Sequence, residues 1–205
     1  MTQTLGPTLR FETPDFIMRS LVLGDESEDW GAWFADPRIA RMLNSPPRAR
    51  TLEQLRKHIN LHDRIDRHAL GIYTKADNRL IGIRTVNIHV SRQAFDIHIV
   101  VGTDSDWGKG AMEQTVNVLY DWGFETRDFL WCEASVLAHN KKMIRWLLDH
   151  GWTIAGRGAV TSVTDGKPIE AIKIRIHRDT WRKNPESSYL SGIPAQTGLE
   201  PPPAE

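Results

Sequence analysis

The sequence predicts a mixed α/β domain in which helices pack against a sheet. Strand-like apolar runs alternate with helix-like runs along most of the chain, which indicates that both element types share one core. The strand-like runs 96–101 and 130–136 are separated by one helix-like segment, and such a connection joins parallel or near-parallel strands. Hydrophobic residues make up 40% of the chain and charged residues 25%, as in ordinary globular proteins.

The first half of the chain contributes helices between its first strands. Thr51 and Gln54 have the spacing of a capping box, which predicts a helix start at this point. Asp77 and Asn78 are expected to form a hairpin turn between two strands. The predicted strands here are 16–19, 70–73 and 80–90, and the predicted helical segments are 26–34, 37–42 and 51–63.

The second half continues with strands, helices and a final hairpin. Gly123 and Gly151 are expected to end two of the helices, and Asp165 with Gly166 forms the hairpin turn. The predicted strands are 96–101, 130–136, 152–163 and 169–176, and the predicted helices are 112–123, 140–150 and 179–184. Residues 1–184 are therefore expected to form a single domain.

Residues 185–205 differ from the domain in composition. This segment contains five prolines and no lysine or arginine, so we expect it to lack a core of its own. The alternative is an arm that docks on a partner subunit, as in a homodimer.

Charge and cysteine content exclude several functional classes. The 26 basic residues equal the 26 acidic ones, whereas general nucleic-acid binders carry a net basic footprint. Cys132 is the only cysteine, so no intrachain disulfide can form, which fits a reducing compartment. No run approaches the ~18 apolar residues that span a bilayer, and residues 1–7 do not resemble a signal peptide. We expect a cytoplasmic protein with no nucleic-acid or membrane partner.

His58 and His62 have the i, i+4 spacing of zinc ligands. Ile59 follows His58, however, where the metalloprotease motif requires glutamate. We therefore expect a solvent-facing helix side at these histidines and no metal site.

The segment 104–111, DSDWGKGA, lies between a strand and a helix. Unpaired N–H groups at a helix start, together with the helix dipole, favour an anion such as a phosphate or pyrophosphate. Gly108 and Gly110 allow the backbone to approach such a ligand closely. Trp107 is expected to form a wall of the site, while Lys109 either neutralises a phosphate or lies in solvent.

Two common phosphate-binding motifs do not fit this segment. In a P-loop, Gly102 would lie one residue too far from Gly108, and Gly110 stands where a hydroxyl is required. The dinucleotide fingerprint fails because Glu113 replaces the third glycine.

Several short pieces stand in a fixed order between residues 16 and 181. They are Gly71-Ile72, Leu80-Ile81-Gly82, Val101-Gly102, residues 107–113, residues 121–124, Asn140 and Gly151-Trp152. This ordered set resembles the GNAT superfamily of acyl-CoA-dependent N-acyltransferases, and more closely its ribosomal-protein N-terminal acetyltransferase branch. The resemblance implies a GNAT fold: a mixed sheet of about seven strands, with acetyl-CoA in a cleft between the two central near-parallel strands.

The same resemblance implies where coenzyme A is held. The strand backbone at Ile99, Val100 and Val101 would pair with the pantetheine arm. The amides around Trp107, Gly108, Lys109, Gly110 and Ala111 would hold the pyrophosphate, and Asn140 would lie beside the thioester arm. Ser105 replaces the usual Gln or Arg of the family loop, so one side-chain contact is lost.

Three side chains are candidates for the base that deprotonates an acceptor amine: Asp96, His98 and Glu133. Asp96 and His98 share one strand face, and histidines exchange protons near neutral pH. Glu133, on the neighbouring strand, could act through a water. Each also has a purely structural alternative. Asp96 could be a turn residue at the end of its strand, His98 a core histidine and Glu133 a surface or ion-pair residue.

We expect a cytoplasmic acetyltransferase that acts on a primary amine by direct transfer. The acceptor is a small-molecule amine, an amino sugar or a protein N-terminus. Five arginines near the expected pocket indicate an acidic acceptor or simply a solvated surface: Arg38, Arg41, Arg48, Arg50 and Arg157. The alternative is a non-catalytic acyl-CoA-binding module, because Met143 and Leu147 stand where relatives carry a serine or a tyrosine that can protonate the leaving thiolate.

Overall fold

The computed structural model describes residues 4–183, which form an eight-stranded mixed sheet flanked by helices. The order across the sheet is β1-β2-β3-β4-β5-β6-β8-β7. The strands are β1 (Arg10–Glu12), β2 (Phe16–Ser20), β3 (Arg67–Thr74), β4 (Leu80–His89), β5 (Ala94–Val101), β6 (Trp131–Leu137), β7 (Thr153–Thr161) and β8 (Pro168–His177).

Most helices begin at a residue whose side chain caps the first turn. The helices are α1 (Glu28–Trp33), α2 (Pro37–Met42), α3 (Leu52–Asn60), α4 (Ala111–Tyr120), α5 (Lys141–Asp149) and α6 (Arg178–Arg182). Ser27 and Asp36 accept a backbone hydrogen bond at the starts of α1 and α2. The capping box predicted for Thr51 and Gln54 is present at the start of α3.

β5 and β6 are the parallel pair of the sheet, and α4 connects them, which confirms the predicted β-α-β unit. They are in register only from Ala94↔Trp131 to Asp96↔Glu133. The neighbouring pairs β4–β5 and β6–β8 are antiparallel. The two antiparallel halves of the sheet therefore meet at a short parallel seam and separate beyond it.

Two apolar cores lie on the two faces of the sheet. The larger core contains Phe95 and Ile97 of β5 together with Val116 and Leu119 of α4. The smaller core joins α1 and α3 to the sheet through residues such as Trp30, Leu55 and Ile83. Alternate residues of a strand face opposite sides, so Phe95 and Asp96 belong to different faces.

The structure differs from the sequence prediction at two places. β1 is an additional strand, and the sequence does not reveal it because three residues are too few to show an alternating pattern. The helix expected to end near Gly123 has a regular part that ends at Tyr120, and a wider π-helical segment (Asp121–Thr126) follows. Gly123 is needed for packing, since a Cβ there would lie 2.3 Å from the Phe95 ring.

The proposed tail, 185–205, and its suggested docking role lie outside the described residues. Within residues 4–183, no helix is long and apolar enough to cross a bilayer.

Candidate active site

The separation of β5 from β6 opens a cleft with a volume of about 150 Å³. Apolar side chains of both strands and of α4 and α5 form most of its wall, and Met42 and Leu43 contribute from the end of α2. A mostly apolar cleft with a few placed polar groups is typical of a cofactor site. The polar side chains in the wall are Arg84, His98, Ser135 and Asn140.

The loop between β5 and α4 leaves backbone N–H groups open at the start of α4. Gly108 has φ 75° and Gly110 has φ 81°, the left-handed region that favours glycine. Gly110 is the N-cap residue of α4, and no described side chain caps the first turn. This geometry fits the predicted pyrophosphate site.

Asp106 holds this loop in place through contacts that the sequence did not reveal. Its buried carboxylate accepts hydrogen bonds from the two terminal nitrogens of Arg79, at 2.8 and 2.9 Å, and from the Thr103 hydroxyl at 2.6 Å. The hydrogen bond from Arg79 is the main reason that the pKa of Asp106 lies below its usual value. The Lys109 Nζ is 3.5 Å from the same carboxylate, with 57% of the side chain exposed, so it can still reach a phosphate.

Trp107 lies against the end of β5 but is not part of the cleft wall. Its Nε1 donates a hydrogen bond to the Val101 carbonyl at 3.1 Å. The Arg38 guanidinium lies 5.0 Å from the Trp107 ring centroid and pairs with Asp104 at 2.6 Å. The loop is thereby connected to α2.

The backbone of β5 has one free edge along the cleft. Ile99, Val100 and Val101 are in register with β4 on one side, whereas no residue of β5 after Asp96 pairs with β6. An extended ligand arm can form hydrogen bonds along such an edge. Asn140 lies across the cleft and caps α5, because its Oδ1 accepts a hydrogen bond from the Met143 amide at 3.2 Å.

Asp96 and His98 lie together near the closed end of the cleft. The His98 Nε2 is 3.4 Å from one Asp96 carboxylate oxygen, while Asn87 Nδ2 and His89 Nε2 lie 2.7 and 2.8 Å from the carboxylate. Burial opposes ionisation of Asp96, but His98, His89 and Asn87 outweigh it and lower the pKa to about 2. His98 lines the cleft with 46% of its side chain exposed. The pair has the form of an imidazole base oriented by a carboxylate.

Glu133 lies opposite Asp96 where β5 and β6 are still paired, outside the cleft wall. Its Oε2 is 3.1 Å from the Arg92 Nη1, which is the ion pair expected as its alternative role. Met143 and Leu147 do line the cleft, and Ser135 provides the one hydroxyl group in the described wall.

The expected solvent-facing position of His58 and His62 is wrong. Both are half-buried, their ring centroids are 4.7 Å apart, and His58 packs against Trp30. Burial lowers the pKa of His58 to about 4. No group of three or more His, Cys, Asp or Glu residues in the described part of the chain could hold a metal ion.

Arg84 is a site residue that the sequence reasoning missed. It is 2% exposed, extends from β4 to the cleft wall, and donates hydrogen bonds to Thr115 Oγ1 at 2.9 Å and to the Met112 carbonyl at 2.6 Å. The sequence does contain an indication that Arg84 is buried. Alternate residues of a strand face the same side, and Arg84 therefore shares its face with the buried residues Val86 and Ile88.

These features together fit coenzyme A. The open amides at α4 suit a pyrophosphate, the free edge of β5 suits an amide-bearing arm, and the apolar cleft suits a thioester end. The free edge of β5 leads along the chain into the loop and α4, in the order that the family resemblance implies.

Comparison with known proteins gives an independent result. The family model described as an acetyltransferase (GNAT) domain matches residues 15–153. A GCN5-related N-acetyltransferase from Brucella melitensis has a similar structure, with a TM-score of 0.72 at 14% sequence identity; the match covers 93% of this chain and 90% of that chain. No curated protein sequence matches the chain.

Two further solved structures have the same fold. The spermidine N-acetyltransferase from Vibrio cholerae, in complex with CoA and spermine, has a TM-score of 0.66 and 17% identity, covering 80% of this chain and 96% of that chain. The ribosomal-protein-S5-alanine acetyltransferase from Vibrio fischeri has a TM-score of 0.68 and 19% identity, and the match covers 83% of this chain and 97% of that chain. The predicted fold class is thus confirmed, and the chain belongs to the GNAT family of acetyltransferases, which use acetyl-CoA for N-acetylation.

Proposed function

We propose that the chain acetylates the amino terminus of a peptide or protein, with His98 as the base. The single observation that carries the proposal is the contact between His98, in the cleft wall, and the ionised Asp96 behind it. When bound, acetyl-CoA supplies a thioester carbonyl that is reactive toward a neutral amine. The protein then has to hold the acceptor, remove its proton and keep water out.

His98 is suited to move the proton in both directions. It accepts a proton from the acceptor nitrogen, and the carboxylate of Asp96 stabilises the charged imidazole. His98 can then return this proton to the sulfur of the leaving thiol, which accounts for the absence of a hydroxyl acid at Met143 and Leu147. Backbone N–H groups of β5, at Val100 or Val101, are candidates to stabilise the negative charge on the carbonyl oxygen.

The charges near the cleft mouth favour an N-terminus over a polyamine. Arg41 has no carboxylate partner within residues 4–183 and directly precedes Met42 and Leu43 of the cleft wall. A polycationic acceptor would be repelled there, whereas an acidic peptide would be attracted. An α-amino group, with a pKa of ~8, also needs less help from a base than a lysine amine of ~10.4. The likeness to a ribosomal-protein-S5-alanine acetyltransferase supports the same branch.

The experiment is a measurement of thiol release from acetyl-CoA with a panel of amines. The panel contains acidic peptides with a free amino terminus, the same peptides with a blocked terminus, spermidine and glucosamine. We expect release with the free acidic peptides and none with their blocked forms. Release only with spermidine or glucosamine would contradict the proposed acceptor, and CoA binding without any release would instead support a non-catalytic binding module.

The role of His98 is tested with His98→Gln and the matched control His62→Gln, which lies outside the cleft wall. We expect His98→Gln to lower kcat by about 100-fold to 10,000-fold, the usual contribution of a general base, with little change in CoA affinity. His62→Gln should retain activity. Equal kcat values for the wild type and His98→Gln would exclude His98 as the base.

A further inference from the structure

Arg84 is a buried cation without a counter-ion in the wall of the acyl-CoA cleft. Only 2% of the residue is exposed, and its guanidinium reaches the cleft from the core side of β4. No carboxylate among residues 4–183 lies within ion-pair distance of it. Buried arginines are almost always paired, so this one is suited to bind an anionic group of a ligand.

The hydrogen bonds of Arg84 use only part of its donor set. Nε donates to the Thr115 hydroxyl and Nη2 to the Met112 carbonyl, and both acceptors are neutral groups of α4. Nη1 has no acceptor within the described residues. The hydrogen bonds to α4 therefore use only Nε and Nη2 of the guanidinium, and the N–H groups of Nη1 remain available to a ligand.

The surroundings of Arg84 do not remove its charge. Its electrostatic neighbours are Tyr120 and Cys132, and burial raises the pKa of both, which keeps them neutral. Burial lowers the pKa of Arg84 to about 10, so the guanidinium is still protonated at neutral pH. The cleft wall thus contains a positive charge with no described counter-ion, beside apolar residues such as Ile97 and Val116.

Arg84 belongs to the wall of the cleft and not to the proposed pyrophosphate loop. It lines the cleft together with Ile97 and His98, whereas the loop residues 108–110 are not part of that wall. Its hydrogen bonds to Met112 and Thr115 connect it to the first turns of α4. In the pairing of β4 with β5, Arg84 of β4 lies opposite Ile99 of β5. Ile99 belongs to the part of β5 whose other edge is free.

We propose that Arg84 binds the terminal carboxylate of a dicarboxylic acyl group, so that the site accepts malonyl-, succinyl- or glutaryl-CoA and binds one of them more tightly than a neutral acyl-CoA. This inference rests on the assignment of the cleft to an acyl-CoA. The reaction itself is unchanged: the C–S bond of the thioester breaks, a C–N bond forms, and the amine proton ends on the thiol. The distal carboxylate takes no part in bond making and remains ionised against Arg84.

The test is calorimetric binding of paired acyl-CoA ligands to the wild-type protein. The pairs have equal chain lengths: malonyl- with propionyl-CoA, succinyl- with butyryl-CoA, and glutaryl- with pentanoyl-CoA. We expect at least one dicarboxylic ligand to bind about 10-fold to 100-fold more tightly than its neutral partner, as for a charge-assisted pair of hydrogen bonds. Equal or weaker binding of all three dicarboxylic ligands would overturn the proposal.

The variant Arg84→Met removes the positive charge and keeps a long side chain. The control variant Arg182→Met removes an exposed arginine of α6 that pairs with Glu125. We expect Arg84→Met to abolish the preference while free CoA still binds, and Arg182→Met to preserve it. A preference that survives in a folded Arg84→Met protein would contradict the role of Arg84. Failure of free CoA itself to bind the wild type would instead overturn the cleft assignment. If Arg84→Met does not fold, the comparison of dicarboxylic and neutral acyl-CoA binding to the wild-type protein still tests the proposal.

Discussion

Asp96 illustrates how neighbouring side chains set the chemistry of a single carboxylate. Three polar groups from β4 and β5 surround it, namely Asn87, His89 and His98. These contacts hold its pKa at about 2, below the usual 3.8, so it remains charged across the physiological range. A carboxylate with so low a pKa is a weak base, so in the proposed mechanism Asp96 positions His98 and His98 transfers the proton.

The variant Asp96→Asn should lower both stability and activity. Since its pKa is lowered in the folded state, the ionised carboxylate stabilises the fold above about pH 4, and this contribution is lost as the pH falls through about 2. We expect the free energy of unfolding at pH 7 to fall by about 2 kcal/mol, with the gap to wild type closing toward pH 2. Urea unfolding at several pH values measures this.

A positioning role also predicts a kinetic effect that a purely structural role would not produce. Without the contact between Asp96 and His98, we expect kcat of Asp96→Asn to fall while the KM for acetyl-CoA changes little. Asp66→Asn, at an exposed position just before β3, should leave both stability and kcat unchanged. An unchanged kcat in a folded Asp96→Asn protein would argue against the pairing of Asp96 with His98.

At the scale of elements, the loop before α4 combines two backbone conformations with one anchored side chain. Gly108 and Gly110 provide the left-handed turns that expose the N–H groups, and Asp106 fixes the loop to Arg79 of the neighbouring hairpin. In the proposed site, the glycines would allow the ligand contact, and Asp106 holds the loop in position.

The glycine requirement can be tested with a matched pair of variants. Gly108 (φ 75°) and Gly166 (φ 70°) both have open space where a Cβ would lie, so Gly→Ala strains each backbone by a similar amount, about 1 kcal/mol. Only Gly108 lies at the proposed pyrophosphate site. We expect both variants to lose similar stability, whereas only Gly108→Ala weakens CoA binding, by about 10-fold or more. Equal CoA affinity in the two variants would show that the loop does not hold the ligand.

At the scale of the whole molecule, features that are local in sequence were predictable. The strand, glycine loop and helix from β5 to α4 are contiguous, so their order can be recognised from the amino-acid sequence alone. The same holds for the capping box of α3 and the asparagine that caps α5. The elements could therefore be predicted almost completely, with β1 as the exception among the strands.

Features that depend on contacts between distant residues were not predictable in this way. Arg79 and Asp106 are 27 residues apart, and Arg84 lies 31 residues from Thr115. Only the pairing of β4 with β5, and the packing of α4 over both, brings these groups together. The buried charge of Arg84 and the anchoring of the loop are therefore properties of the fold rather than of any motif.

The central claim is that acyl-CoA binds along the free edge of β5 and the loop that leads into α4. Hydrogen–deuterium exchange with and without CoA tests this most directly, because it reports on individual backbone amides. We predict slower exchange at residues 99–101 and 108–112 when CoA is added, with no change in the edge strand β7, which serves as an internal control. Unchanged exchange in both segments at saturating CoA, or protection confined to β7 and β8, would contradict the claim.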